Sequence, residues 1–257
     1  MSGIALVRTP GPRLAEGIVT NIEREPVDAA LAARQHARYV EALGAYGWQV
    51  EHVERADDLP DGVFVEDAVV VSAGTAVLTR PGAPERRPEV ETVAAAVGKL
   101  DLEIRRIEGP GTLDGGDVLQ VGSRVYVGRS ARTNDEGIAQ LAAHLPEREV
   151  VPVEMRGVLH LKSAVTALPD GTLIGDPACV DLPGLLVPEE EAGSHLVLLG
   201  GNRVLMAASA PATAAVLERR GLDVVQVDIS EFEKLEGCVT CLSVLVSRDV
   251  RPWHKRS

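Results

Sequence analysis

The sequence predicts an α/β fold in which repeating units of strand, turn, strand and helix stand around a ring. Three observations carry this. Paired apolar runs joined at a glycine-bearing turn recur along the chain, and a helix-like stretch usually follows each pair. The chain also opens and closes on single strand-like runs whose pairing would complete a fifth unit. An ordinary mixed sheet with hairpins has the same composition, and the pattern alone leaves it open.

Taken in order, "GIALVRT" (3–9) reads as a lone first strand. A helix follows over 27–47, rich in Ala, with Leu31, Val40 and Leu43 on its apolar side. "DAVVVSAGTAVLTR" (67–80) turns at Gly74, and a helix pattern runs over 88–100. "GDVLQVGSRVYVGR" (116–129) turns at Gly122, and Thr133 or Asn134 then caps a helix in "TNDEGIAQLAAHL". "KSAVTALPDGTLIGD" (162–176) turns at Asp170-Gly171, and a loop-rich stretch around "PACVDLPGLLVPEEE" follows. "SHLVLLGGNRVLMAAS" (194–209) turns at Gly200-Gly201, with a helix begun by Pro211 and stopped by Gly221. "CLSVLVS" (241–247) is the lone last strand.

The 257 residues are 45% hydrophobic and a quarter charged, which fits one soluble domain over 1–257 with a large core. A net charge of -12 speaks against a nucleic-acid partner, because phosphate binding is driven by Lys and Arg. The only late basic cluster, "RPWHKRS", reads as a solvated tail. "MSGIALVRTPG" lacks the pattern of a secretory signal, and no apolar run approaches membrane-spanning length, so a cytoplasmic protein without a membrane partner is expected. Three cysteines are an odd number and suit free thiols in a reducing compartment. A homodimer is one expectation for the protein's assembly.

If the units superimpose, the residues just before each first strand share one end of the central channel. They are Glu66 and Asp67, Asp114 and Asp117, His160 and Lys162, and Cys241. Together they supply a thiol, an imidazole and several carboxylates, the ingredients of nucleophilic and acid/base chemistry. Any one of them, taken alone, is more often a turn cap or a satisfied interior group. In "CVTC" (238–241), a structural zinc site lacks a second pair of ligands, so zinc is not expected on these cysteines. A thioredoxin-like pair would sit between a strand and a helix, whereas "CVTC" leads straight into a strand. Cys241, at the strand start, fits a lone nucleophile better than Cys238. Cys179 reads as a buried small hydrophobe.

The motifs "LPDGVFVEDAVV", "LTRPGAPERRPEV", "TLDGGDVLQVG", "YVGRSARTN", "LHLKS" and "VTCLSVLV" occur in order across nearly the whole chain. In these the sequence resembles the dimethylarginine dimethylaminohydrolases of the guanidine-modifying superfamily. The resemblance implies a five-bladed α/β propeller (pentein) with pseudo-fivefold repeats, closed by the N- and C-terminal strands. It implies hydrolysis of a methylated arginine, a small-molecule substrate, to citrulline and a methylamine, with no cofactor. By motif, Cys241 is then the nucleophile, His160 its acid/base partner, and Asp114 the residue that helps hold the guanidinium and orients His160. Many bacterial relatives carry Glu at this last position. Asp67 with Glu66 would bind the guanidinium, Arg86 and Arg132 the α-carboxylate, and Asp61 with the carbonyls near Val19 and Leu235 the α-amino group. Cys238 would lie in the loop closing over the substrate.

The residue types suit that chemistry. A guanidinium stays protonated at neutral pH, so its carbon is a poor electrophile, and flanking carboxylates align it through charge-assisted hydrogen bonds. The nearest rival is an arginine or agmatine deiminase using the same chemistry on an unmethylated guanidine. A reading of another class is a binding protein on the same scaffold, against which the joint presence of Cys241, His160 and Asp114 argues.

Overall fold

The computed structural model describes residues 3–247; the "RPWHKRS" tail lies outside them. Five small sheets follow one another along the chain. Four hairpins are those the glycine turns predicted: Val69–Ser72 with Thr75–Leu78, Val118–Val121 with Arg124–Arg129, Val165–Ala167 with Leu173–Gly175, and Val197–Gly200 with Arg203–Ala207. In the first, Ser72 pairs with Thr75 across Ala73-Gly74, whose φ values of 47° and 88° form the mirror-image turn that matches strand twist. The fifth sheet joins the ends of the chain, with Gly3–Val7 antiparallel to Val244–Ser247.

Four of the sheets hold a third strand that the sequence pattern did not reveal. Trp48–His52, Glu103–Arg106, Glu149–Glu154 and Asp223–Val227 each return from a helix and pair parallel to the middle strand. These are edge strands, largely solvent-facing, and "EIRR" shows why they escape notice: with only one apolar residue in four it has no inward row to read. The unit after Leu173–Gly175 has no helix. Its irregular chain instead meets the hairpin through an isolated bridge between Ile174 and Leu186, in keeping with its Pro- and Gly-rich composition.

Helix ends follow local chemistry. Asp28 accepts hydrogen bonds from the amides of Ala30 and Leu31, starting the first helix at Ala29; Asn134, not Thr133, caps Asp135–His144 through the Gly137 amide. The buried face of Ala29–Ala45 differs from the apolar side read from sequence. Ala32, Gln35, His36, Tyr39 and Leu43 face inward, while Leu31 and Val40 are half-buried. Gln35 is drawn in because its side chain binds Ser230 Oγ and the Glu231 amide, and Tyr39 because its hydroxyl meets the Val239 carbonyl and Ser243 Oγ. Hydrogen bonds to residues about 200 positions away thus decide the face that an apolar count misassigns.

The core is divided into five clusters, each where a sheet packs on the next element; Leu6, Val69, Val93, Val97 and Val246 belong to one, Val77, Val127 and Leu141 to another. Each fully buried Val or Leu contributes roughly 1.5–3 kcal/mol of transfer free energy. Before every first strand except the N-terminal one, the chain makes a single 3-10 turn: Val65–Ala68, Gly115–Asp117, Leu161–Ser163, Glu191–Ser194 and Val239–Leu242. These turns carry the reactive residues. Among the described residues, no helix is long and apolar enough to cross a membrane.

Candidate active site

The 3-10 turns distinguish two positions at the approach to each strand. Asp114, His160 and Cys238 each occupy the residue that caps a turn, whereas Asp67, Asp117 and Cys241 occupy the third residue within it. Cys241 therefore lies within the turn that leads into the last strand, which begins at Val244. A narrow cavity lies over these turns, lined by Asp61, Asp67, Arg86, Arg132, His160 and Cys241 among others.

His160 is buried, with Nε2 3.0 Å from Asp114 Oδ2 and Nδ1 3.8 Å from Asp67 Oδ1. Burial works against its charge, but Asp67, the Asp114 hydrogen bond and Asp117 outweigh it and raise its pKa to about 9. Asp114 is oriented in turn by the Gly82 amide, which donates to Oδ1 at 2.9 Å. Burial also opposes ionisation of Asp67, yet His160, Arg86 and the Gly116 amide bring its pKa down to about 2. The glycines of "LDGGD" have a steric reason: a Cβ on Gly116 would lie 2.6 Å from His160 Nδ1 and 2.7 Å from Asp67 Oδ1, and one on Gly115 would strike the Glu66 carbonyl.

Arg86 is a buried cation already engaged by Asp67 Oδ2 at 2.5 Å and by both oxygens of Glu89 at 3.1 and 2.8 Å. Arg132 is held more loosely, with one 3.4 Å contact to Thr20 Oγ1. Asp61 accepts from the Ile18 amide through both oxygens, at 3.1 and 3.2 Å. Leu235 and Ile18 line the cavity; Val19 is absent from that lining, and its half-buried side chain packs against the core instead.

Glu66 does not share the cavity with Asp67. Its carboxylate binds Lys162 Nζ at 2.6 Å and Thr240 Oγ1 at 2.9 Å, on the wall of a separate, open pocket. A 3-10 turn has three residues per revolution, so adjacent side chains diverge by roughly 120° and two neighbouring acids reach different spaces. Burial raises the pKa of Glu66 to about 7 despite Lys162.

Cys238 is not in a loop over the cavity. It is buried in the core, and its Sγ lies 3.3 Å from Cys241 Sγ, while its amide N–H points at that sulfur from 3.4 Å. A thiol S–H between the sulfurs favours one thiolate and, together with burial, holds the other thiol protonated, pushing the pair's two ionisations apart. Cys179 is half-buried on a different cluster, with Asp176 Oδ2 3.7 Å away, so it is less enclosed than expected.

Asp117, a strand-start acid in the sequence, has a structural role. It is fully buried; Oδ2 accepts from Ser130 Oγ at 2.6 Å and Oδ1 from the Leu161 amide at 3.0 Å. Ser130 Oγ in turn accepts from the amides of Arg132 and Thr133. One carboxylate thus ties the turn after His160 to the loop bearing Arg132. Glu236, with φ +57°, binds the amides of Thr20 and Asn21 and secures the loop over the cavity; nothing local in the sequence marks it.

Asp67, Asp114 and His160 bring potential metal-ligand atoms within 4.8 Å of one another. Asp67 is committed to Arg86 and an amide, however, and His160 holds its proton to about pH 9, so a cation there would compete with an arginine and a proton.

Residues 47–181 match the arginine deiminase family. The chain is 58% identical to the N(G),N(G)-dimethylarginine dimethylaminohydrolase of Streptomyces coelicolor, over 93% of this chain and 95% of that one. A crystal structure of a dimethylarginine dimethylaminohydrolase variant as its adduct with S-methyl-L-thiocitrulline superimposes with a TM-score of 0.90 at 33% identity, covering 95% of this chain and all of the other. The Pseudomonas aeruginosa enzyme, in a variant complexed with citrulline, gives 0.89 at 32% identity, with 95% and 100% covered. With near-complete coverage of both chains at this identity, the protein belongs to the dimethylarginine dimethylaminohydrolase family.

Proposed function

We propose that this protein hydrolyses N-omega-methylated arginine to citrulline and a methylamine, and that the reaction runs through a covalent intermediate on Cys241. The single observation that carries the reading is the convergence, in one cavity, of a thiol, an imidazole held protonated near neutral pH and a carboxylate beside the imidazole. The family relationship supports it, as does the complex of a relative with citrulline.

In this reading Asp67 binds the substrate guanidinium and the Cys241 thiolate attacks its carbon. The substrate's positive charge favours that thiolate. His160 gives its proton to the departing amine, leaving a thiouronium on sulfur, and then takes a proton from the water that releases citrulline. Asp114 holds His160 in register and stabilises its charge. Arg132 anchors the α-carboxylate, with Arg86 contributing less because Asp67 and Glu89 already occupy it. Asp61 and the carbonyls of Leu235 and the 18–19 segment receive the α-amino group.

The scaffold for this site is a single catalytic unit over 1–257, a five-bladed propeller with its sheets standing radially. Contacts between neighbouring sheets support it, including those of Val244–Ser247 with Val69–Ser72, as does the sheet shared by both chain ends.

The test is to incubate the purified protein with asymmetric dimethylarginine, monomethylarginine, arginine and agmatine and to follow citrulline, amine and ammonia release. Turnover confined to the methylated compounds is expected. Preference for arginine or agmatine would overturn the assignment in favour of a deiminase, and no turnover of any would favour a binding protein.

A further inference from the structure

The proposed reaction uses one thiol, yet the turn that carries it holds two. Cys238 caps the turn Val239–Leu242 and Cys241 is its third residue, so one revolution of the backbone stacks the two side chains and brings the sulfurs to 3.3 Å. Both are free thiols. The run of "CVTC" toward a strand speaks against a paired reading, but the structure places the two cysteines on one helical turn, Cys238 before it and Cys241 within it, ahead of the strand that begins at Val244. Bonded sulfurs stand about 2.05 Å apart, so closure needs a displacement of little more than about 1 Å, within reach of side-chain rotation.

Access is unequal. Cys241 lines the substrate cavity, while Cys238 does not and lies behind it, its Sγ also 3.2 Å from Thr240 Oγ1. An oxidant small enough to enter meets Cys241 first, with Cys238 already in contact behind it.

We propose that Cys238 is the resolving thiol of an oxidative modification site: a small hydroperoxide entering the cavity oxidises Cys241 to a sulfenic acid, and Cys238 converts this to an intramolecular disulfide that stops turnover reversibly. In the first step the Cys241 thiolate attacks a peroxide oxygen. The S–O bond forms, the O–O bond breaks, sulfur is oxidised by two electrons, and the hydroxide released takes up the first thiol proton as water. In the second step the Cys238 sulfur attacks Cys241 Sγ. The S–S bond forms, the S–O bond breaks, and hydroxide leaves with the second thiol proton. Two thiols and one hydrogen peroxide thus give one disulfide and two waters. The disulfide intercepts the sulfenic acid before further oxidation to the irreversible sulfinic acid. The thiol chemistry rests on the sulfur geometry alone; only the accompanying loss of turnover rests on Cys241 as the nucleophile.

The test treats the full-length protein with hydrogen peroxide in the presence of dimedone, then measures intact mass, maps peptides without reduction, and assays methylarginine turnover before and after dithiothreitol. The wild type should lose two hydrogens, carry a Cys238–Cys241 disulfide, resist dimedone, and lose nearly all turnover until dithiothreitol restores it. Cys238→Ser and Cys238→Ala should take dimedone at Cys241 or, without it, proceed to sulfinic acid that dithiothreitol does not reverse. Sulfenic or sulfinic acid accumulating on Cys241 of the wild type would overturn the proposal, as would a disulfide to Cys179. The wild-type maps decide the matter even if neither variant folds, and they do so whether or not the protein turns over methylarginine.

Discussion

His160 stands between two carboxylates, Nε2 3.0 Å from Asp114 Oδ2 and Nδ1 3.8 Å from Asp67 Oδ1. The imidazole reaches these acids from turns 46 and 93 residues away in the chain, and it keeps its proton to about pH 9. A base that stays charged at neutral pH is a general acid in waiting, which suits an amine leaving group.

The first expected outcome follows from that charge. In a pH profile of kcat/KM, activity should fall as pH rises through about 9, where His160 loses its proton. Asp114→Asn removes the negative charge from the partner that helps hold the proton, so the basic limb should move to lower pH. An unmoved limb would exclude Asp114 from this role.

Stability should carry the same signature. The His160 value lies above its ordinary 6.5, so its contribution is complete below pH 6.5 and is lost as pH rises through about 9. Asp67 lies below its ordinary 3.8, so its contribution is present above that pH and disappears as pH falls through about 2. Urea midpoints measured across the alkaline window should decline in the wild type and decline less in His160→Gln.

Asp117→Asn keeps the shape of the side chain but removes one of the acceptors that join the Leu161 amide to Ser130 Oγ. Loss of a hydrogen bond to a charged group costs about 1.5–3 kcal/mol, or roughly ten- to a hundredfold in rate if felt in the transition state. Both kcat and KM should change, because Asp117 supports the His160 turn and the Arg132 loop together. A lowered melting temperature with unchanged kinetics would mark Asp117 as a purely structural residue.

Gly116→Ala places a methyl group 2.6 Å from His160 Nδ1. Misplacement of a reacting group by about 1 Å can cost on the order of a hundredfold, so kcat should fall steeply while circular dichroism stays that of the wild type. Activity near that of the wild type would show that the His160 ring is free to move.

Cys241→Ser should abolish turnover with folding intact, and Cys238→Ser should retain substantial activity; equal loss from both would mean that the thiols act as a pair in catalysis. Arg132→Ala should raise KM by roughly ten- to a hundredfold with a smaller change in kcat, since it touches a part of the substrate remote from the reacting carbon.

Much of the architecture was legible because it is written locally. Hairpin turns announce themselves through glycines that adopt positive φ, as at Gly74, Gly122 and Gly171, and helix starts through Asp28 and Asn134. The charged edge strands were not legible, because their pairing energy lies in backbone hydrogen bonds to a neighbour rather than in their own side chains. Within the site, the types of residue could be read from motifs, but the direction each side chain takes could not. Glu66 and Asp67 are adjacent in sequence and serve different spaces, and Asp117 looked like any strand-start acid until Ser130 and Leu161 were seen to close on it.

The repeating hairpins, the helices, the family, and the thiol, imidazole and carboxylates available for chemistry are written in the chain itself, because turn dihedrals, caps and hydrophobic alternation act over a few residues. That Glu66 turns away to Lys162, that Ile18 rather than Val19 lines the cavity, and that Cys238 touches Cys241 sulfur to sulfur emerge only in the packed fold. Each of those outcomes depends on how a turn is rotated against other segments. That rotation is set by packing and hydrogen bonds between residues tens to hundreds of positions apart, which no local pattern encodes.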